Sequence, residues 1–149
     1  MPGTHDTITT VLGFDYGARR IGVAVGNALT GSARALEVIA NGAPGPDWTR
    51  VAGLVREWRP QALLVGLPLT MAGEEQSNSA AARAFAAQLG ERCKLTATLV
   101  DERLSSVEAA QRFAQRRAGG AAKRKHAQAL DSIAAEVIVE QWLRDSGFQ

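Results

Sequence analysis

A β-hairpin is written into residues Thr9–Asn27, TTVLGFDYGARRIGVAVGN. Two runs of β-branched and apolar residues, Thr9–Tyr16 and Ile21–Asn27, flank the polar turn Gly17-Ala-Arg-Arg20. A third strand is expected over Ala33–Ile39, entered through Thr30-Gly31, and the loop Asn41-Gly-Ala-Pro-Gly-Pro46 follows it. Asp47 then stands where a helix wants its N-cap. Trp48, Val51, Leu54, Val55 and Trp58 recur at helical spacing up to Pro60.

Beyond Pro60 the pattern alternates between strand and helix. Ala62–Leu67 (ALLVGL) is a continuous apolar run, as a strand covered on both faces requires. Ser77 or Ser79 is expected to cap a helix that buries Ala82, Phe85 and Leu89 and closes at Gly90. Leu95–Val100 reads as the next strand. Ser105-Ser-Val-Glu108 has capping-box spacing and opens a helix to about Arg117, broken at Gly119-Gly120. A last helix carries Leu130, Ile133, Ala134, Val137, Ile138 and Trp142. Strands that arrive through helical crossovers lie parallel to their neighbours. The expected fold is therefore a three-layer α/β domain: a five-stranded mixed sheet, an antiparallel meander plus two parallel strands, flanked by helices. Residues 1–149 read as one domain, with 1–8 a loose tail.

Charge is distributed unevenly. The formal net charge is only +2, with 17 basic and 15 acidic residues. Six of the basic residues, Arg112, Arg116, Arg117, Lys123, Arg124 and Lys125, lie between Glu108 and Asp131 with no acid among them. The remainder of the chain carries 11 basic against 15 acidic residues, a balance of −4. A basic segment on an acidic body points to an anionic partner, nucleic acid first. The single cysteine, Cys93, excludes an internal disulfide. No signal-peptide pattern opens the chain, and no apolar run approaches the roughly 20 residues of a membrane span. A soluble cytoplasmic protein, without membrane association, is expected.

Three acids converge in this reading. Asp15 ends the first strand, and Asp101-Glu102 follow the strand Leu95–Val100. In a parallel arrangement both emerge at one edge of the sheet, where α/β folds place their ligands. A further acid, Asp131, is embedded in the apolar last helix, a costly placement without compensation. Singly, each has an ordinary structural reading: a turn residue, a partner of Arg103, a solvent-facing acid. Together they suit a divalent cation, since Mg²⁺ takes oxygen ligands and needs few of them.

Four motifs then resemble one family. Phe14-Asp15-Tyr-Gly17-Ala-Arg-Arg-Ile21-Gly22-Val-Ala-Val-Gly26, Val65-Gly66-Leu67-Pro68-Leu69 with Gly73-Glu-Glu75, Asp101-Glu102-Arg103-Leu104-Ser105-Ser106-Val-Glu108-Ala109, and Leu130-Asp131-Ser-Ile-Ala-Ala are similar to the bacterial YqgF family. These RNase H-like proteins are described as Holliday junction resolvases and as nucleases that mature the 5′ end of pre-16S ribosomal RNA. The resemblance runs from about Val11 to Leu143. It implies an RNase H-like fold and metal-dependent phosphodiester hydrolysis, with Asp15, Glu102 and Asp131 as catalytic, metal-holding residues and Asp101 as their neighbour. Asp15 would bridge two Mg²⁺ or Mn²⁺ ions roughly 4 Å apart, with Glu102 and Asp131 completing the set.

Phosphate contacts are expected from Arg19 and Arg20 beside Asp15, and from Arg112, Arg116, Arg117, Lys123, Arg124 and Lys125. The leading expectation is a 5′-end nuclease of pre-16S rRNA in ribosome biogenesis. Resolution of branched DNA and non-catalytic RNA binding are the alternatives; a monomer or a homodimer is expected, since symmetric resolution of a junction would want a dimer and trimming of RNA would not. The glycine-rich opening is also similar to the phosphate-binding hairpin of the actin and sugar-kinase superfamily, which needs two lobes around its nucleotide.

Overall fold

A computed structural model describes residues 9–70, 72–102, 109, 111–112, 114–115 and 126–145. Its elements, in chain order, are β1 (Thr10–Tyr16), β2 (Arg20–Asn27), β3 (Ser32–Ala40), α1 (Trp48–Trp58), β4 (Ala62–Leu67), α2 (Ser77–Cys93), β5 (Ala97–Asp101) and α3 (His126–Asp145). They form a five-stranded sheet in the order β3-β2-β1-β4-β5. β1–β2 and β2–β3 pair antiparallel, β1–β4 and β4–β5 parallel, so the expected meander and crossovers are both present. Ala109, Gln111, Arg112, Ala114 and Gln115 are helical, inside the helix expected after Ser105; the capping box, Gly119-Gly120 and the tail 1–8 lie outside the described residues.

Strand alternation divides the core in two. Leu12, Phe14, Ile21, Val23, Val25, Leu63, Val65 and Leu67 face α1 and α2, meeting Val51, Leu54, Ala82, Phe85 and Leu89. Phe85 centres an aromatic group, with its ring 5.7 Å from Phe14, 5.1 Å from Tyr16 and 5.5 Å from Trp48. Tyr16 is thereby a packing residue. The opposite face carries Val11, Ala24, Ala62 and Leu64 against Ala135, Val139 and Leu143 of α3.

That second face is floored with glycine. A Cβ at Gly13 or Gly26 would stand 2.3 Å from a Val139 methyl, one at Gly66 2.6 Å from Ile138 Cδ1, and one at Gly22 2.0 Å from the Asp131 carbonyl oxygen. All are closer than real Cβ atoms approach, so α3 lies nearer the sheet than any side chain at these positions would allow. Glycine inside a strand weakens it, and close approach of another backbone is its usual reason.

Local chemistry follows the sequence with two corrections. Asp47 caps α1 as expected, its carboxylate accepting from the Arg50 amide at 3.1 Å. The cap of α2, however, is Gln76, not Ser77 or Ser79. Ser79 sits three residues inside the helix, fully buried, where its hydroxyl accepts from the Gln76 amide at 2.8 Å and donates to the Pro68 carbonyl. Nor does Gly90 close α2, which runs on to Cys93 and is capped by Lys94 in the left-handed region (φ 55°). Gly90 instead makes room for the chain's return: a Cβ there would lie 3.1 Å from the Leu95 carbonyl.

Candidate metal-dependent nuclease site

At the C-terminal edge of the parallel strands the glycine floor becomes a site. Asp15 is the penultimate residue of β1, on the α3 face, and it pairs directly with Gly22 of β2. On its other side β4 pairs with β1 through Phe14 and Val65, so Gly66 comes next along the edge. Asp15 therefore has a glycine on each neighbouring strand, and an acidic residue approaches over each, Asp131 by its backbone and Glu102 by its carboxyl. Asp131 of α3 rests on Gly22. Glu102, whose amide extends the β4–β5 ladder by donating to the Leu67 carbonyl at 3.3 Å, lays its carboxyl over Gly66, 3.0 Å from where a Cβ would be. Glu102 crosses the width of β4 in this way and hydrogen-bonds to Asp15.

The electrostatics follow from that crowding. Burial pushes the Asp15 carboxyl from its ordinary 3.8 up to about 6; the hydrogen bond from Glu102 pulls it back, and the Asp131 charge pushes it up again. Asp131 turns its Oδ2 to Arg20, whose Nε donates at 2.7 Å. Among the described residues no three His, Cys, Asp or Glu side chains stand close enough together to hold a metal ion between them. The three acids form one electrostatic unit, but Asp131 is engaged elsewhere in this conformation. Asp101, the last residue of β5, is exposed and pairs with Leu67.

The expected phosphate-binding residues divide. Arg19 is exposed in the β1–β2 turn. The turn itself is held by Asn41, which donates from its side chain to the Gly17 carbonyl (2.7 Å) and from its amide to the Arg19 carbonyl (2.9 Å). Arg20 pairs with Asp131. Arg112 has a different occupation: its guanidinium donates to Glu136 and, at 2.8 Å, to Glu140, both on α3. Glu136 is buried and also accepts from the Ala35 amide at 3.1 Å, beside the irregularity in the β2–β3 register. Arg112 is thus a bracket between its own helix, α3 and β3, and Arg112→Ala takes the guanidinium from the buried Glu136 carboxylate. We expect that variant to lose about 2–4 kcal/mol of stability, read as a lower urea midpoint. Arg116, Arg117, Lys123, Arg124 and Lys125 lie outside the described residues.

The loop after β4 is tightly built. Leu69 bridges to Glu75, Thr70 donates from its amide to the Glu74 carbonyl at 2.7 Å, and the Arg83 Nε donates to Glu75 at 2.8 Å.

A family model described as RuvX, Holliday junction resolvase, matches residues 9–145. The chain belongs to the RuvX family. A RuvX-family assignment agrees with the YqgF motifs and makes the protein a nuclease, a hydrolase of phosphodiesters. The chain is 58% identical over 134 residues to "Putative pre-16S rRNA nuclease" of Xanthomonas oryzae pv. oryzae (strain PXO99A), covering 90% of this chain and 86% of that one. Its counterpart of the same name in Xanthomonas axonopodis pv. citri (strain 306) is 57% identical over the same length. Among solved structures, "T. thermophilus RuvC in complex with Holliday junction substrate" superposes with a TM-score of 0.55 at 19% identity, covering 94% of this chain and 97% of that one. At that identity the likeness shows the fold, and the fold is RNase H-like as expected.

Proposed function

We propose that this RuvX-family chain is a divalent-metal-dependent endonuclease that matures the 5′ end of pre-16S rRNA in the cytoplasm. The observation that carries the reading is the row Gly22–Asp15–Gly66: the Glu102 carboxyl lies over Gly66 and hydrogen-bonds to Asp15, while the Asp131 backbone rests on Gly22 and brings its charge within reach of Asp15. The substrate follows from what the relatives at 57–58% identity are named for.

The donor set fits Mg²⁺ or Mn²⁺ by its chemistry. All three groups are carboxylates, and Asp15 lies among them with its charged form disfavoured, which is the condition a cation relieves. Asp15, Glu102 and Asp131 would hold the metal, Asp131 by turning from Arg20. A bound divalent cation supplies Lewis acidity toward a phosphoryl oxygen and a water acidic enough to attack near neutral pH. The chain's own part is to bring the three acids to one edge of the sheet, where Gly66 admits the Glu102 carboxyl and Gly22 the Asp131 backbone. Arg19 and the segment Arg116–Lys125 would hold flanking phosphates without reading sequence.

The test offers a pre-16S RNA and a four-way DNA junction side by side, each with Mg²⁺, with Mn²⁺ and with EDTA. Metal-dependent cleavage at the RNA 5′ end is expected, with chelation lowering the rate at least about 10³-fold. Junction cleavage with intact RNA would turn the reading to the resolvase that the family description names. Binding of both without cleavage of either would make the chain a non-catalytic module.

A further inference from the structure

Among the described residues one cation, Arg20, is seen to pair with an acid of the carboxylate row, and it belongs to the chain itself. Arg20 opens β2 two residues before Gly22, so strand alternation puts it on the α3 face, beside the carboxylates. Its Nε donates to Asp131 Oδ2 at 2.7 Å, with the two side chains 41% and 28% exposed. Among the described residues this is the only ion pair either of them makes, and the two Nη groups of Arg20 make no hydrogen bond there.

We propose that Arg20 is a resident counter-ion for the site: it neutralises Asp131 while the carboxylate row holds no divalent cation, releases Asp131 when one enters, and then offers its guanidinium to a substrate phosphate. This rests on the metal site proposed above. The geometry favours exchange over permanence. Contact runs through one nitrogen rather than the two-pronged fork that gives arginine–carboxylate pairs their strength. The pair stands at the solvent edge, where ion pairs are weak and screened. A divalent cation brings twice the charge to a row whose central acid, Asp15, has no cation of its own among the described residues. The released fork suits phosphate, which arginine grips with two parallel hydrogen bonds. The backbone beneath it stays in place, because Asn41 ties the turn at Gly17 and Arg19.

Arg20 and the metal therefore compete for Asp131, and removing Arg20 should tighten metal binding in the absence of any nucleic acid. Calorimetric titration of Mn²⁺ alone into wild type, Arg20→Gln, Arg20→Lys and Asp15→Asn reads this directly, with folding of each variant checked by circular dichroism. We expect Arg20→Gln to bind Mn²⁺ about two- to fivefold more tightly, Arg20→Lys to stay near wild type, and Asp15→Asn to bind far more weakly. On the unmutated chain, the Arg20 Nε–H resonance in nitrogen-15 spectra should shift as Mg²⁺ is added. A folded Arg20→Gln that binds Mn²⁺ no more tightly than wild type, or an Nε–H resonance unmoved at saturating Mg²⁺, overturns the counter-ion role while leaving the metal site standing. Equal Mn²⁺ binding by wild type and Asp15→Asn overturns the metal site and this role with it.

Discussion

Asp15→Asn is expected to abolish cleavage and, in the same molecule, to stabilise the metal-free protein. The catalytic half follows from position. Asp15 is the central acid of the row, between the glycines that admit Asp131 and Glu102, so its loss removes the proposed ligand that both others adjoin. A fall of at least about 10³-fold in the single-turnover rate is expected, equivalent to about 4 kcal/mol of transition-state stabilisation. The stability half follows from charge. The folded-state pKa of Asp15 is raised, from 3.8 to about 6, so the folded protein holds a proton that the unfolded chain has released. Between about pH 4 and pH 6 the unfolded state therefore binds fewer protons than the native state, and stability falls as pH rises through that window. Above it the full penalty of an ionised, crowded Asp15 is present, about 2–3 kcal/mol by the size of the shift. Asparagine carries no such charge. In EDTA at pH 7.5 the variant should melt about 5–10 °C above wild type, and the advantage should vanish near pH 4. A purely structural Asp15, acting as an ordinary turn residue, would give the opposite sign.

Among the described glycines, Gly22 should be the one least able to accept a methyl group, as in Gly22→Ala. Its Cβ would lie 2.0 Å from the Asp131 carbonyl oxygen and 2.4 Å from the carbonyl carbon. Those are backbone atoms of a helix, so no side-chain rotation relieves the clash and α3 must move bodily. Overpacking of this kind costs about 3 kcal/mol, and here the displaced element carries Asp131, one of the three proposed ligands. Misplacement of a reacting group by about 1 Å is worth some 10²-fold in rate, so cleavage should fall by at least that much under conditions where the variant is still folded. Gly53→Ala is the control. It lies within α1, and its nearest neighbour would be the Arg50 Nη1 at a comfortable 3.5 Å. Helix propensity then acts alone, and a gain of about 0.5–1 kcal/mol is expected. Thermal melts of the two variants beside wild type, followed by single-turnover cleavage at a temperature where all are folded, separate steric displacement from glycine loss in general.

Much of this was legible from strand patterning. Two β-branched and apolar runs joined by the polar turn Gly17–Arg20 mark the antiparallel meander, and the unbroken run Ala62–Leu67, reached through a helix, marks a covered parallel strand, in the element order that the structure has. From that order the shared edge of Asp15 and Glu102 follows too, because parallel strands deliver their C-terminal ends together. What alternation leaves unresolved is distance. Gly13, Gly22, Gly26 and Gly66 carry a signal in the sequence, as glycines inside strands, but nothing local says which helix approaches them.

Partner choice is the other gap. Arg20 and Asp131 are 111 residues apart, and Arg112 reaches carboxylates 24 and 28 residues away on α3. A basic residue on a polar helix face looks the same in sequence whether it meets a phosphate or a buried glutamate. Similarly, Gly90 looks like a helix stop because C-terminal glycine is common, but the terminating left-handed residue is Lys94, and the glycine is needed for clearance to Leu95.

Asp131 is the sharpest point of attack, since it comes from a helix remote in sequence and is paired with Arg20 in this structure. Single-turnover cleavage of pre-16S RNA by Asp131→Asn in saturating Mg²⁺, beside wild type with and without EDTA, measures whether it belongs to the same metal site as Asp15 and Glu102. The expected result is cleavage by wild type in Mg²⁺ only, with Asp131→Asn folded and slower by at least about 10³-fold. Cleavage by Asp131→Asn at the wild-type rate, or by wild type in EDTA, would contradict a metal site built from all three.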